Sequence, residues 1–236
     1  MARGSLIGAV IAAVLVLALP AFASPLPKSL DLYLLGARMI HSELALKAPD
    51  GGQNHDFQLD RGRLLKRYAA GSLEVAEENG NATLNVAAGA RVILNGRSSN
   101  LRALRAGMQV LVSHDHDLPA EAVYASAAAR AAPNLPRGIV SFLLGGRMMR
   151  AEIYLKSADG MLHDYLLDHG RVRQVGPTSL TLREADGTLV PIDISASARV
   201  KLNGQNASLA ELRRGMMATT MRDGETPADL VYATGR

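Results

Sequence analysis

HDFQLDRGR, residues 55–63, returns as HDYLLDHGR, residues 163–171. Whether that repeat preserves a reaction or a strand decides the fold. Read as strands, alternation puts His55, Phe57 and Leu59 on one face, and His163, Tyr165 and Leu167 likewise. Asp56 and Asp60, or Asp164 and Asp168, then share the opposite face, four residues and about 13 Å apart. A glycosidase acid/base pair needs carboxyls roughly 5–9.5 Å apart, and each His faces away from its neighbouring Asp. The bland reading therefore leads: a half-buried strand histidine, and a second Asp that makes a turn with Gly62 or Gly170 where a barrel starts. A ligand site on His55, Asp56, Asp60 and Arg63, and on His163, Asp164, Asp168 and Arg171, is the sharper alternative.

The rest of the chain repeats with the same spacing. LLGARM at 34–39 returns as LLGGRM at 143–148, ARVILNG at 90–96 as ARVKLNG at 198–204, LRALRAGM at 101–108 as LAELRRGM at 209–216, and PAEAVYA at 119–125 as PADLVYA at 227–233. An offset that stays at 107–109 over that many segments means two copies of one domain. Between them AAARAAPNLPR, residues 127–137, has the composition of an exposed linker, which would let two tethered units bind bivalently.

The second copy reads more clearly. AEIYLK, the turn dipeptide Asp159-Gly160 and residues 161–168 make a hairpin. Short alternating runs at 172–175, 179–184, 189–195 and 198–202 follow, and Pro191 belongs at an edge or bulge. Ser208 and Glu211 form a capping box for one short helix, with Leu209 and Leu212 on its apolar side and Gly215 as its stop. The first copy has Asn100, Leu101, Leu104 and Gly107 there, but Ala103 replaces the Glu. These elements predict a mainly β chain: two tandem small β-barrels, each with a preceding hairpin and one short helix.

The pattern of L-x-L, Asp-Gly, A-R-V-x-L-N-G, L-x-x-L-R-x-G-M and P-A-x-x-V-Y-A resembles a family of exported bacterial small-barrel domains of unknown function, OB-like or SH3-like, often found as repeats. The resemblance covers roughly residues 62–126 and 170–234. It implies a fold and an exported setting, and no catalytic residues.

At the N-terminus Arg3, an apolar run from Leu6 to Leu19, Pro20 and Ala21-Phe22-Ala23 spell a secretory signal peptide. The predicted order is thus a signal peptide at 1–23, an N-terminal segment at 24–31, the first hairpin-barrel repeat at 32–126, the linker at 127–137 and the second repeat at 138–236. After cleavage no transmembrane helix is expected, and the setting is secreted or periplasmic. With no cysteine in the chain, stability must come from hydrophobic cores, without disulfides.

A formal charge of +4 permits attraction to acidic envelope polymers and is too small to mark a specific nucleic-acid surface. Arg61, Arg63, Lys66, Arg67, Arg102, Arg105, Arg171, Arg173, Arg213 and Arg214 read first as solvated outer-face side chains, and second as polyanion contacts. His114 and His116, two apart in SHDHDLP, could hold Zn²⁺ or Cu²⁺ given a third ligand. The adjacent pairs Met148-Met149 and Met216-Met217 read as core filling, one of each pair facing inward. No nucleophile elbow, phosphate loop or H-E-x-x-H is present, and no cofactor is expected. The expectation is a non-enzymatic binding or scaffolding protein of the bacterial envelope or exterior. Its partner would be an unknown envelope component, such as an acidic polymer. Behind it stand a periplasmic polyanion- or metal-binding protein and, more remotely, a hydrolase using the His-Asp strands.

Overall fold

The structure, a computed structural model, describes residues 26–48, 52–78, 80–127 and 133–235. The signal-peptide reading and residues 128–132 of the linker lie outside them. The described chain is mainly β: fourteen strands join in one mixed sheet. They are β1 (39–46), β2 (55–67), β3 (72–77), β4 (80–94), β5 (97–99), β6 (109–115), β7 (120–126), β8 (148–156), β9 (162–175), β10 (179–183), β11 (189–202), β12 (205–207), β13 (217–223) and β14 (228–234). Two helices, α1 (28–34) and α2 (137–143), precede β1 and β8.

The repeated stretch is a strand in both copies, β2 and β9, and each is long enough to serve two partners in succession. Residues 55–60 of β2 pair with β1, and residues 63–67 pair with β3. Its other edge pairs with β6 throughout 57–63. From β3 the pairing runs through β4, β7 and β6 and so returns to β2. Likewise β9 pairs with β8, β10 and β13, and β10–β11–β14–β13 closes the second cycle. Within each cycle one pairing is parallel, β4–β7 and β11–β14.

Gly62 and Gly170 stand where the partner changes. A Cβ on Gly62 would lie 2.3 Å from the Ala76 carbonyl oxygen, and one on Gly170 2.5 Å from that of Arg183. Glycine is therefore needed for the close approach of the next strand's backbone, rather than for a turn as the sequence suggested.

The two halves share a sheet and a core. β1 and β8 pair antiparallel from Met39 opposite Leu155 to Leu46 opposite Met148, so the central sheet runs β6–β2–β1–β8–β9–β13. Ser42 faces Ile153, Glu43 faces Glu152 and Leu44 faces Ala151. With His41 equivalent to Arg150 in the repeat, the same strand position meets itself at Glu43 and Glu152. That is the self-complementary geometry of a two-fold dimer within one chain.

One face of this sheet carries Leu44, Phe57, Leu59, Ala151, Ile153 and Leu167, packed under α1 and α2 in a single central core. Each strand cycle encloses a smaller core, one around Leu64, Val75, Val110 and Val112, the other around Val172, Leu182, Ala218 and Val231.

Two expectations change at the segment boundaries. Of the N-terminal segment at 24–31, residues 28–31 belong to α1, in which Asp31 and Leu34 are buried, as is Leu35 after it. Within the linker Leu135 is also buried, and Arg137 opens α2. Both helices escape a sequence reading: seven residues long, with Pro27 and Pro136 at their N-caps and no side-chain cap, they depend on tertiary packing. The expected capped helices are three-residue 3-10 turns, Leu101–Ala103 and Leu209–Glu211. The Ser208–Glu211 box does form, and Leu104 and Leu212 plug the two small cores. Met148 and Met149 are both buried, where one of the pair was expected to face out.

Because the central core belongs to both halves, urea unfolding followed by independent probes should show one transition. Leu44→Ala, removing a side chain 1 % exposed, should lower its midpoint by an amount worth about 2–5 kcal/mol. Two resolved transitions, only one of them moved, would show that the halves fold separately. Gly170→Ala should be at least as damaging by the same measurement, since backbone rather than a flexible side chain must give way.

Candidate functional site

The face of the central sheet opposite the helices is charged, and its side chains hold one another in two related clusters. In the first half β2 presents Asp60, flanked by His41 of β1 and His114 of β6. His41 Nδ1 donates to Asp60 Oδ1 at 2.8 Å and His114 Nε2 to Oδ2 at 2.7 Å. The remaining nitrogen of His114 faces the His116 carbonyl at 2.5 Å, and that of His41 faces Glu43 at 3.4 Å. Carboxylates and a carbonyl only accept, so this arrangement calls for a proton on every one of these nitrogens, that is, for two imidazolium ions on one carboxylate.

The electrostatics agree. Its hydrogen bond to Asp60 outweighs burial and lifts His41 to about 8. Burial alone would raise Asp60, but the two imidazoles hold it down to about 2. His114 is raised because its hydrogen bonds overcome the cost of burial. Glu77 of β3 completes the cluster, pushed up to about 7 by burial and by the Asp60 charge.

The second half keeps the anions and changes the cations. Asp168 replaces Asp60 and receives Arg222 Nη1 at 2.6 Å. Arg150 holds Glu184, the counterpart of Glu77, at 2.5 Å and reaches Asp186 at 3.4 Å. Burial raises Glu184, with Arg150 pulling the other way.

On the helix-covered side of the sheet the opening histidines behave as expected of strand residues: the His55 ring lies 5.9 Å from Phe57, and His163 stacks on Tyr165 at 5.2 Å. Each also donates to an aspartate that adjacency in sequence does not reveal. His55 Nδ1 meets Asp115 Oδ2 and His163 Nδ1 meets Asp223 Oδ2, both at 2.7 Å. The same aspartates accept the backbone N–H groups of Asp56 and Asp164. The SHDHDLP and MRDGETP segments share an Asp because it closes this link from the neighbouring strand to the start of β2 or β9.

The predicted ligand residues thus divide. Asp60 and Asp168 join charged networks; His55 and His163 join the Asp115 and Asp223 links; Asp56 is exposed and Asp164 half-buried. Burial with the charges of Asp223 and Glu225 raises Asp164. Arg63 and Arg171 are exposed, Arg171 donating to the Gly215 carbonyl at 2.9 Å. His114 and His116 do not converge: His114 has both nitrogens engaged, and His116, at φ 47°, is exposed beside Asp117. Among the described residues no three ligating side chains gather into a metal site.

Arg61 was expected on the solvated outside. It is buried, donating to the Pro133 carbonyl at 2.6 Å and the Gly36 carbonyl at 3.1 Å, and burial lowers it to about 10. His169 occupies its place in the second half, bonded to the Thr219 hydroxyl at 2.7 Å and lowered by burial to about 4. His41, Glu77, Asp115, Arg150, Glu184, Arg222 and Asp223 were missed as site residues. The signal available was their recurrence at equivalent repeat positions with retained or exchanged charge.

A cavity of about 710 Å³ lies elsewhere, lined by Arg91, Ile93, Tyr124, Pro133 and Pro136 among others. Taken together, fold and site define a mainly β chain whose paired halves share one charged sheet face. Comparison with family models, curated proteins and solved structures finds no match.

His169 supplies a signed test. Its folded value lies below the ordinary 6.5, so its neutral state favours the fold above that pH, and the contribution is lost as pH falls through about 4. The loss should be on the order of 3 kcal/mol. Chemical denaturation of His169→Gln between pH 7 and 4 should show a flatter acid limb than the unaltered chain.

Proposed function

We propose that this chain is an exported, non-enzymatic binding or scaffolding module of the bacterial envelope or exterior, made of two small β-barrels fused side by side. The barrel reading draws on the closed pairing cycles and on the resemblance to exported small-barrel domains; the exported setting draws on the N-terminal signal. One observation carries the functional reading. The charged face of the central sheet continues across both halves, and its side chains are locked to each other on rigid strands, which suits recognition of a partner by a preformed polar surface. Against a hydrolase, the His55–Asp115 and His163–Asp223 links tie strand starts to neighbouring strands, and no nucleophile is marked beside them.

The partner best suited to a basic chain of this kind is an acidic envelope polymer, with exposed arginines such as Arg63 and Arg171 as first contacts. A thermal-shift screen of residues 24–236 tests it, since a ligand selective for the folded state raises its melting point. Heparin, used as a soluble anionic glycopolymer, should raise Tm by several degrees, with the effect shrinking as salt is added. A Zn²⁺-induced rise abolished by His114→Ala would favour the metal reading instead. Turnover of ester or glycoside substrates, lost in Asp56→Ala or Asp164→Ala without a fall in Tm, would replace the binding reading by an enzymatic one.

A further inference from the structure

The two charged clusters occupy equivalent places yet differ in one chemical respect. Where the second half uses Arg150 and Arg222, whose charge is permanent, the first uses His41 and His114. We propose that the first half carries a proton-operated clamp, in which protonated His41 bridges β1 to Asp60 of β2 and loses the ionic part of that hold on deprotonation, while the arginines of the second cluster keep their charge over the same pH range. The inference goes beyond the binding reading and stands whether or not a polymer is bound.

The geometry gives the clamp its mechanical role. Asp60 is 5 % exposed and stands at the last β1–β2 rung, His41 opposite Asp60, beyond which β2 leaves β1 and turns to β3. His41 therefore holds β1 at the point where the central sheet passes into the first strand cycle.

The groups facing His41 come from every neighbouring strand: Asp60 from β2, Glu43 from β1 itself, Glu77 from β3, His114 from β6, Glu152 and Tyr154 from β8, and Asp164 from β9 beyond them. Anions outnumber cations in this set. Once His41 is neutral, His114 alone is left to offset the repulsion of Asp60 by Glu43 and Glu77.

The direction of the pH dependence follows. His41 is raised above 6.5, so its contribution is complete below that pH and lost as pH rises through about 8. Glu77 is raised above 4.5, so its neutral form favours the fold at low pH and its ionisation weakens the cluster as pH climbs through about 7. The two act together, and the cluster becomes more negative by about one charge between roughly pH 6.5 and 8. Asp60 opposes them only in strong acid, between its ordinary 3.8 and about 2.

The test uses the whole mature chain, with Tm and amide hydrogen exchange measured from pH 5.5 to 8.5 and the His41 side chain titrated by NMR. Between pH 6.5 and 8.5, above the range over which His169 contributes, Tm should fall by about 2–4 °C or more. Exchange should quicken at Leu59 and Asp60 while Leu167 and Asp168 stay protected. His41→Arg should flatten the fall, and Arg150→His should bring a similar fall to the second half. If His41→Arg folds poorly, Glu77→Gln serves independently: it should raise Tm by more at pH 8.5 than at pH 5.5. A His41 imidazole titrating at or below 6.5, or a His41→Arg chain with the full original pH dependence, would overturn the proposal.

Discussion

The antiparallel contact of β1 with β8 is the constraint on which the rest depends. Without it each half would expose one flank of the central sheet and the apolar surface under both helices, a core that includes Leu34, Leu44, Leu144 and Ile153 at no more than 1 % exposure. Fully burying a leucine or isoleucine stabilises by about 1.5–3 kcal/mol, and this shared core sums many such side chains. The smaller cores inside the strand cycles are made mostly of Val, Ala and Leu. The central one supplies the bulk that a cysteine-free chain needs.

The two-fold character of that contact also explains the charged face. Equivalent strands lie side by side about a two-fold centre, so Glu43 stands opposite Glu152, while His41, opposite Tyr154, and Arg150, opposite Ala45, lie on either side of that centre. At these positions the copies differ, His41 and His114 standing where the second copy has Arg150 and Arg222. Arg61 and His169 show the same divergence on the covered face, one anchored by carbonyl groups near α1 and α2, the other by Thr219.

Much of the strand layout was legible in the sequence because it depends on local signals. Asn95-Gly96 and Asn203-Gly204 turn with positive φ at all four residues, and Gly107 and Gly215 follow the 3-10 turns in the same conformation. The alternation of HDFQLD correctly separates Phe57 and Leu59 from Asp60. What stayed hidden depends on distant partners. Periodicity assigns Asp60 to a face but cannot show that His41 and His114 reach it across two different strand pairings. Asp115 and Asp223 look like turn residues until the register brings them to His55 and His163. Arg61 reads as an exposed arginine because the carbonyls that receive it belong to Gly36 and Pro133, far away along the chain. The linker reads as a spacer because nothing local reveals that β1 and β8 pair.

That pairing joins segments about a hundred residues apart, which sets an order on biosynthesis. At 5–20 residues per second, β1 waits roughly 5–20 s before β8 is made. Through that interval the nascent first half offers an unfilled strand edge and half of a hydrophobic interior, and a neighbouring nascent chain carries a β8 of matching register. Crowded synthesis should therefore favour molecules that have traded halves.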